Sequence, residues 1–212
     1  MNQPAMKSFS YYILLVLVLT AGNINLKAQS WNYIKEKNGI KLFTRVPEYS
    51  TFKCFRGETT FHASMQEIGR YIGNVKNFSW WDKNIRGLRV LEPASEKHIG
   101  YYFVYDVPWP LSDRDICVDV SISIDSLTGA KVVYAKPLQG VVPENKDIVR
   151  IVNYWQKWTL TPIDKQTVHA VLEGFVDPGG NVPSWLYNMV IVETPLKVME
   201  GIKHKLEEDP GN

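Results

Sequence analysis

The run DICVDVSISI, residues 115–124, alternates without a fault. Ile116, Val118, Val120, Ile122 and Ile124 fall on one side of an extended chain, and Asp115, Cys117, Asp119, Ser121 and Ser123 fall on the other. A period of two excludes an amphipathic helix and predicts a strand with one apolar and one wet face. Strand-like segments of the same kind recur along most of the chain: WNYIKEK and IKLFTRV around a KNG turn, STFKCFRGETTF, IRGLRVLE, IGYYFVYDV, GAKVVYAK, DIVRIVNYWQKWTLTPI and QTVHAVLEGFVD. Together they make nine strands. Turn signals such as DSLTG and IDKQ separate most neighbours by a few residues, and connections that short make neighbouring strands antiparallel.

Two segments leave this rhythm. HASMQEIGRYIGNV has helical spacing, with Met65, Ile68, Tyr71 and Ile72 on one side and Ser64 and Glu67 placed for a capping box. After FVDPGGNVPSWLYN (175–188), the residues Trp185, Met189, Val192, Leu196, Met199, Ile202 and Leu206 form one apolar stripe, which predicts a helix from 183 to about 207. Asp177 and Asn181 are turn or cap residues for it, and Pro183 suits its first turn. Pro195 falls inside and predicts a kink. Strands grouped together and helices kept apart describe an α+β domain, one curved antiparallel sheet covered by a long C-terminal helix. Helix on sheet encloses either a filled core or a hollow. Val168, Ala170, Leu172, Gly174 and Val176 share a face of the last strand, where the small residues at 170 and 174 either leave room or, at Gly174, mark a bulge.

With 212 residues, 45% of them hydrophobic and 12% aromatic, the chain is long enough for one domain with a sizeable core. Lys7 followed by YYILLVLVLTA reads as a secretory signal peptide over residues 1–28, ahead of a domain at 29–208 and a short tail at 209–212. Cleavage follows Ala28 or Ala21, and the mature chain is exported, periplasmic or secreted. The first 28 residues hold Lys7 and Lys27 and no acid, so the remainder carries 22 basic and 22 acidic residues. That balance, with no basic block, argues against nucleic acid and against a polybasic membrane anchor. Cys54 and Cys117 fall mid-strand, where a buried thiol is the commoner role, although export permits a disulfide. His62, His98, His169 and His204 are scattered, so neither a metal site nor a cofactor is expected, and no nucleophile–base grouping marks a catalytic residue.

Three blocks, WWDKNIRGLRVLE (80–92), VPWPLSDRD (107–115) and VDPGGNVPSWLYN (176–188), have a familiar order and spacing. In them the chain resembles the START family, the steroidogenic acute regulatory protein-related lipid-transfer domains, over about 180 residues. The resemblance implies a helix-grip fold, in which a curved nine-stranded sheet wraps the C-terminal helix and leaves a tunnel for a lipid or other hydrophobic small molecule. It implies a tunnel lined by Val118, Val120, Ile122 and Leu172 from the sheet and by Trp185, Met189, Val192, Leu196 and Met199 from the helix. The loop with Pro108, Trp109 and Pro110 would complete the lid, and transient membrane contact would accompany exchange. Arg114 and Asp115 match the family's Arg-Asp pair, with a structural role. Sterol-binding relatives place an arginine where this chain has Val120. Trp80, Trp81, Tyr101, Tyr105, Tyr154, Trp155 and Trp158 are aromatic by type, without an assigned head group. The leading expectation is a lipid carrier of the cell envelope. A cavity enzyme of the polyketide-cyclase type, using Arg150 and Glu173 if they face inward, is one alternative. An envelope interaction module with a filled core is the other.

Overall fold

In the computed structural model, Asn38 and Gly39 both adopt left-handed backbone, with φ of 53° and 68°. This is the pair of conformations a tight hairpin needs, and it joins β1 (Asn32–Lys37) to β2 (Ile40–Arg45). The structure describes residues 30–72, 83–91 and 98–208. The chain divides into two compact units, Met1–Ser30 and Trp31–Asn212, and the described strands and helices all belong to the second.

After the hairpin come β3 (Cys54–Phe61) and α1 (Met65–Gly69), whose capping box forms as expected. The Ser64 N–H donates to Glu67 Oε2 at 2.7 Å, and the Glu67 N–H donates to Ser64 Oγ at 3.2 Å. The remaining strands are β4 (Ile85–Leu91), β5 (His98–Tyr105), β6 (Arg114–Ile124), β7 (Lys131–Pro137), β8 (Val149–Arg150), β9 (Tyr154–Asp164) and β10 (Thr167–Val176). They form one sheet in the order β1-β2-β3-β10-β9-β7-β6-β5-β4, antiparallel between all neighbours on that path. The helix-grip reading therefore holds: about nine antiparallel strands and a C-terminal helical segment.

One predicted strand is two. DIVRIVNYWQKWTLTPI splits into β9 and the two-residue β8, which pairs parallel with the start of β6 rather than with a neighbour on the path. The same detour changes the outer face of β6. Asp115 and Cys117, expected on a wet face, are each 1% exposed because the chain between β7 and β8 folds over them. The Leu138 N–H donates to the Cys117 carbonyl, and Arg150 reaches Asp115. The predicted alternation survives only in the middle of the strand, from Val118 to Ser121, and at the far end Ile124, expected inside, is 68% exposed. Cys54 and Cys117 are free, buried thiols, and burial is the first cause raising both pKa values.

The C-terminal segment is also two elements, α2 (Ser184–Val190) and α3 (Glu193–Glu208). Pro195 does not kink one long helix. It lies in the first turn of α3, where its missing N–H costs nothing. Continuing α2 through it would deny the Ile191 carbonyl its donor four residues on and drive the ring into that carbonyl. The helix breaks at 191–192 instead, and the Thr194 N–H takes the Ile191 carbonyl at 3.2 Å. Pro183, expected in the first turn, is the residue before α2, without a side-chain cap. Asp177 makes a turn, accepting the Gly179 N–H at 3.0 Å.

The two helices do different things. α3 packs on β2 and β3 and touches α1, with Leu196, Met199 and Ile202 at most 2% exposed. Beneath it, Gly57 removes the side chain that would otherwise hold the helix off the sheet. α2 buries none of its residues.

Candidate ligand cavity

The registers of the sheet define the floor of a hollow. Across its middle, Phe55, Gly174, Gln156 and Ala135 lie side by side on β3, β10, β9 and β7. Gly174 leaves a gap that the Phe55 ring fills, since a β-carbon there would collide with the ring. Gly174 sits in unbroken register, so it provides room and is not a bulge. Farther along, Tyr101 faces Val118, Phe103 faces Ile116 and Tyr105 faces Arg114 across β5 and β6. With Tyr154 and Val176 these side chains enclose a cavity of about 510 Å³. That is many times the space one water needs and within the ordinary range of ligand sites.

The roof is α2 and two loops. Leu186, Tyr187, Val190 and Ile191 close the cavity from above, with Pro178 and Val182 before the helix and Val107 and Leu111 from the β5–β6 loop. Two devices hold α2 down. Asn188 accepts the Lys53 N–H at 2.8 Å and donates to the Thr51 carbonyl at 2.9 Å. The Phe52 and Tyr187 rings meet edge to face at 5.2 Å. The Tyr187 hydroxyl is buried without a partner among the described residues.

Arg114 and Asp115 are adjacent in sequence but point to opposite sides of β6 and do different work. Arg114, 6% exposed, donates to the carbonyls of Pro178 (3.1 Å), Gly179 (3.4 Å) and Ser112, and so ties down the Pro-Gly-Gly turn that leads into α2. Gly179 and Gly180 take left-handed φ of 62° and 61° in that turn. Burial, slightly offset by Asp113, pushes the Arg114 pKa down. Asp115 binds Arg150 through both oxygens, at 2.7 and 2.8 Å, and accepts from Tyr102 at 3.2 Å. The Asp115 hydrogen bond is the main cause raising the Arg150 pKa. Desolvation raises the Tyr101, Tyr154 and Tyr187 hydroxyl pKa values, so all three stay protonated.

Of the residues expected to line the tunnel, Val118 is on the cavity wall. Val120 and Leu172 are buried, and Ile122 is half-buried, but they lie farther along the sheet, outside the cavity. Leu196 and Met199 are solid core beneath α3, and Val192 is buried at the break. Trp185 and Met189 are 65% and 68% exposed, on the outer side of α2. The helical stripe puts them inside only if the helix is unbroken. With the break, α2 turns Leu186 and Val190 inward instead. Pro108, Trp109 and Pro110 lie on the outside of their loop, and the cavity takes Val107 and Leu111 on either side of them.

Among the aromatic candidates, Tyr101, Tyr105 and Tyr154 line the cavity, whereas Trp158 is core and Trp155 bonds Tyr49. Trp80 and Trp81 lie outside the described residues. The sequence pattern does not single out Phe55, Gln156 or Tyr187. The available signal is the small pair Gly174 and Ala135 flanking Gln156, readable only once the strands are in register. Glu173 bonds Arg56 and Lys157, at 3.2 and 2.8 Å, away from the cavity, and Arg150 is held by Asp115.

No family model matches the chain. An uncharacterized protein of Pseudomonas aeruginosa is 26% identical over 184 residues, 87% of this chain and 90% of that protein. The phosphatidylcholine transfer protein of Mus musculus is 24% identical over 173 residues, 77% of each chain. Among solved structures, the STAR-related lipid transfer protein of Xanthomonas axonopodis superposes with a TM-score of 0.75 at 29% identity, covering 84% of this chain and 98% of that one.

Proposed function

From the helix-grip fold that this chain shares with START-domain lipid-transfer proteins, we propose that it binds a lipid or other hydrophobic small molecule beneath α2 and carries it within the cell envelope or outside the cell. One observation carries the reading: a largely apolar cavity of about 510 Å³ whose roof is a short helix separated from the rest by a break. Burying apolar ligand surface is worth about 25 cal/mol per Å², so such a space holds a greasy guest without a strong polar anchor. Lifting α2 gives an exit, and the cost is the Asn188 hydrogen bonds and one ring contact rather than the packed core under α3.

The outer side of α2 supports a transient membrane contact. The helix carries no charged residue, and Trp185 and Met189 face solvent. Trp109, 91% exposed, rises from the loop whose neighbours Val107 and Leu111 also line the cavity. A roof apolar on both sides can exchange water for a bilayer surface on the outside while passing a lipid on the inside. Export follows from the leader-like residues 1–28, and amino-terminal sequencing of the mature protein should begin at Gln29 or Gly22.

The direct test is transfer of a fluorescent phospholipid from donor to acceptor vesicles. Catalytic amounts of the purified protein should raise the rate well above spontaneous exchange, and Trp185→Ser with Trp109→Ser should reduce it. A rate equal to the protein-free control overturns the carrier reading.

A further inference from the structure

The roof carries one group whose chemistry the carrier reading does not use. Five sulfur-bearing side chains stand among the described residues: Cys54, Cys117, Met65, Met189 and Met199. Four of them are covered. Cys54 and Met199 are 0% exposed, Cys117 is 1% exposed, and Met65 is half-buried against the core. Met189 is 68% exposed. An oxidant in solution attacks the sulfur it can reach. The two thiols are shielded twice, by their cover and because burial raises their pKa values and keeps them protonated.

The position of Met189 gives that reactivity a consequence. Trp185 and Met189 are one helical turn apart and share the outer side of α2. The helix carries no charged residue, and Trp185 is 65% exposed beside the sulfur. An apolar face of this kind binds a bilayer by exchanging water for the boundary between head groups and acyl chains. A thioether suits that exchange. A sulfoxide does not, because its oxygen is a strong acceptor that loses its water without gaining a donor. With seven residues in α2, the outer side has few others to compensate.

We propose that Met189 is an oxidation site that switches the membrane contact of the roof: a peroxide converts its thioether to the sulfoxide, and the oxidised protein docks poorly while its cavity is unchanged. This rests on the outer side of α2 meeting a membrane. In the forward step a sulfur lone pair takes one oxygen of hydrogen peroxide, the O–O bond breaks, and the other oxygen leaves as water, with the sulfur oxidised by two electrons. In the reverse step two thiols of a reductase become a disulfide, and the sulfoxide oxygen leaves as water. Export, as proposed above, would place this sulfur outside the reducing thiol pool of the cytosol.

The test treats the purified protein with hydrogen peroxide and follows oxygen uptake by peptide mass spectrometry. Two activities are read alongside: phospholipid transfer between phosphatidylcholine vesicles, and binding of diphenylhexatriene, a fluorescent hydrocarbon, without vesicles. Met189 should gain one oxygen before Met65 or Met199. Transfer should fall about tenfold in step with it, and hydrocarbon binding should hold. Methionine sulfoxide reductases for the two epimers should restore transfer. Met189→Leu, compared with itself before and after peroxide, should keep its rate, a ratio independent of where that variant starts. Full oxidation of Met189 with transfer unchanged overturns the switch, and so does Met189→Leu losing as much as the wild type. An equal fall in hydrocarbon binding would place the damage in the cavity and overturn it too. Untreated protein that binds the hydrocarbon but transfers nothing removes the membrane contact itself, and the switch with it.

Discussion

Gly57 on β3 lies directly under Pro195 of α3: a β-carbon at Gly57 would come within 2.8 Å of the Pro195 β-carbon and 3.0 Å of the Met199 sulfur. The helix rests on bare backbone at that point. Gly57→Ala must lift α3 or bend the strand, and overpacking of this kind costs about 1–3 kcal/mol. Thermal unfolding should show a lower Tm, and a wild-type Tm would mean that helix and strand separate there without strain.

Gly174 plays a parallel part toward the cavity. The Phe55 ring occupies the space above it, and a methyl group there would collide with that ring. Gly174→Ala should push Phe55 into the hollow, because the ring lines it. Lipid affinity should therefore fall more than it does in Gly57→Ala, as measured by titration with a fluorescent lipid. Equal affinities in the two variants would contradict a floor built on Phe55.

Pro195 keeps α2 and α3 apart. Alanine supplies the N–H that the Ile191 carbonyl needs in a continuous helix and removes the ring that blocks one. Pro195→Ala should slow lipid release in stopped-flow exchange by stiffening the hinge at 191–192. An unchanged release rate would refute the hinge.

Acid should loosen the other side of the roof. Asp113 accepts the Val107 N–H at 3.0 Å and a bond from Arg86 at 2.6 Å, and these two interactions, the backbone one first, hold its carboxyl below the usual carboxylate range. A depressed folded pKa means the contribution is present above the unfolded value and is lost as pH falls through the folded one, below about pH 4. Val107 and Leu111 line the cavity, so lipid release should quicken in that window. Asp113→Asn should release faster at neutral pH and lose the acid step. A variant with the wild-type pH profile would place the step elsewhere.

Much of the architecture is legible because alternation, turn chemistry and capping are local. The Asn38–Gly39 turn and the Ser64–Glu67 box form from neighbours a few residues apart, and β6 announces its apolar face in ten letters. The rest depends on partners distant in sequence. Asp115 looks solvent-facing until Arg150, 35 residues on, is brought over it. The helical stripe reads as continuous through Ile191 and Val192, and only the Pro195 ring set against the Ile191 carbonyl divides it. That division moves the hollow from beneath Leu196 and Met199 to beneath Leu186 and Val190. Gln156 is invisible for the same reason: its place on the cavity wall is set by register with Gly174 and Ala135, on two other strands.

Organic extraction of the freshly purified protein, followed by mass spectrometry, asks most directly whether the space between the sheet and α2 is a berth for a lipid. A lipid near one equivalent per chain, reduced when Phe55 is displaced by Gly174→Ala, is the expected result. Protein that emerges empty, and stays empty after incubation with vesicles of mixed bacterial phospholipid, would contradict it.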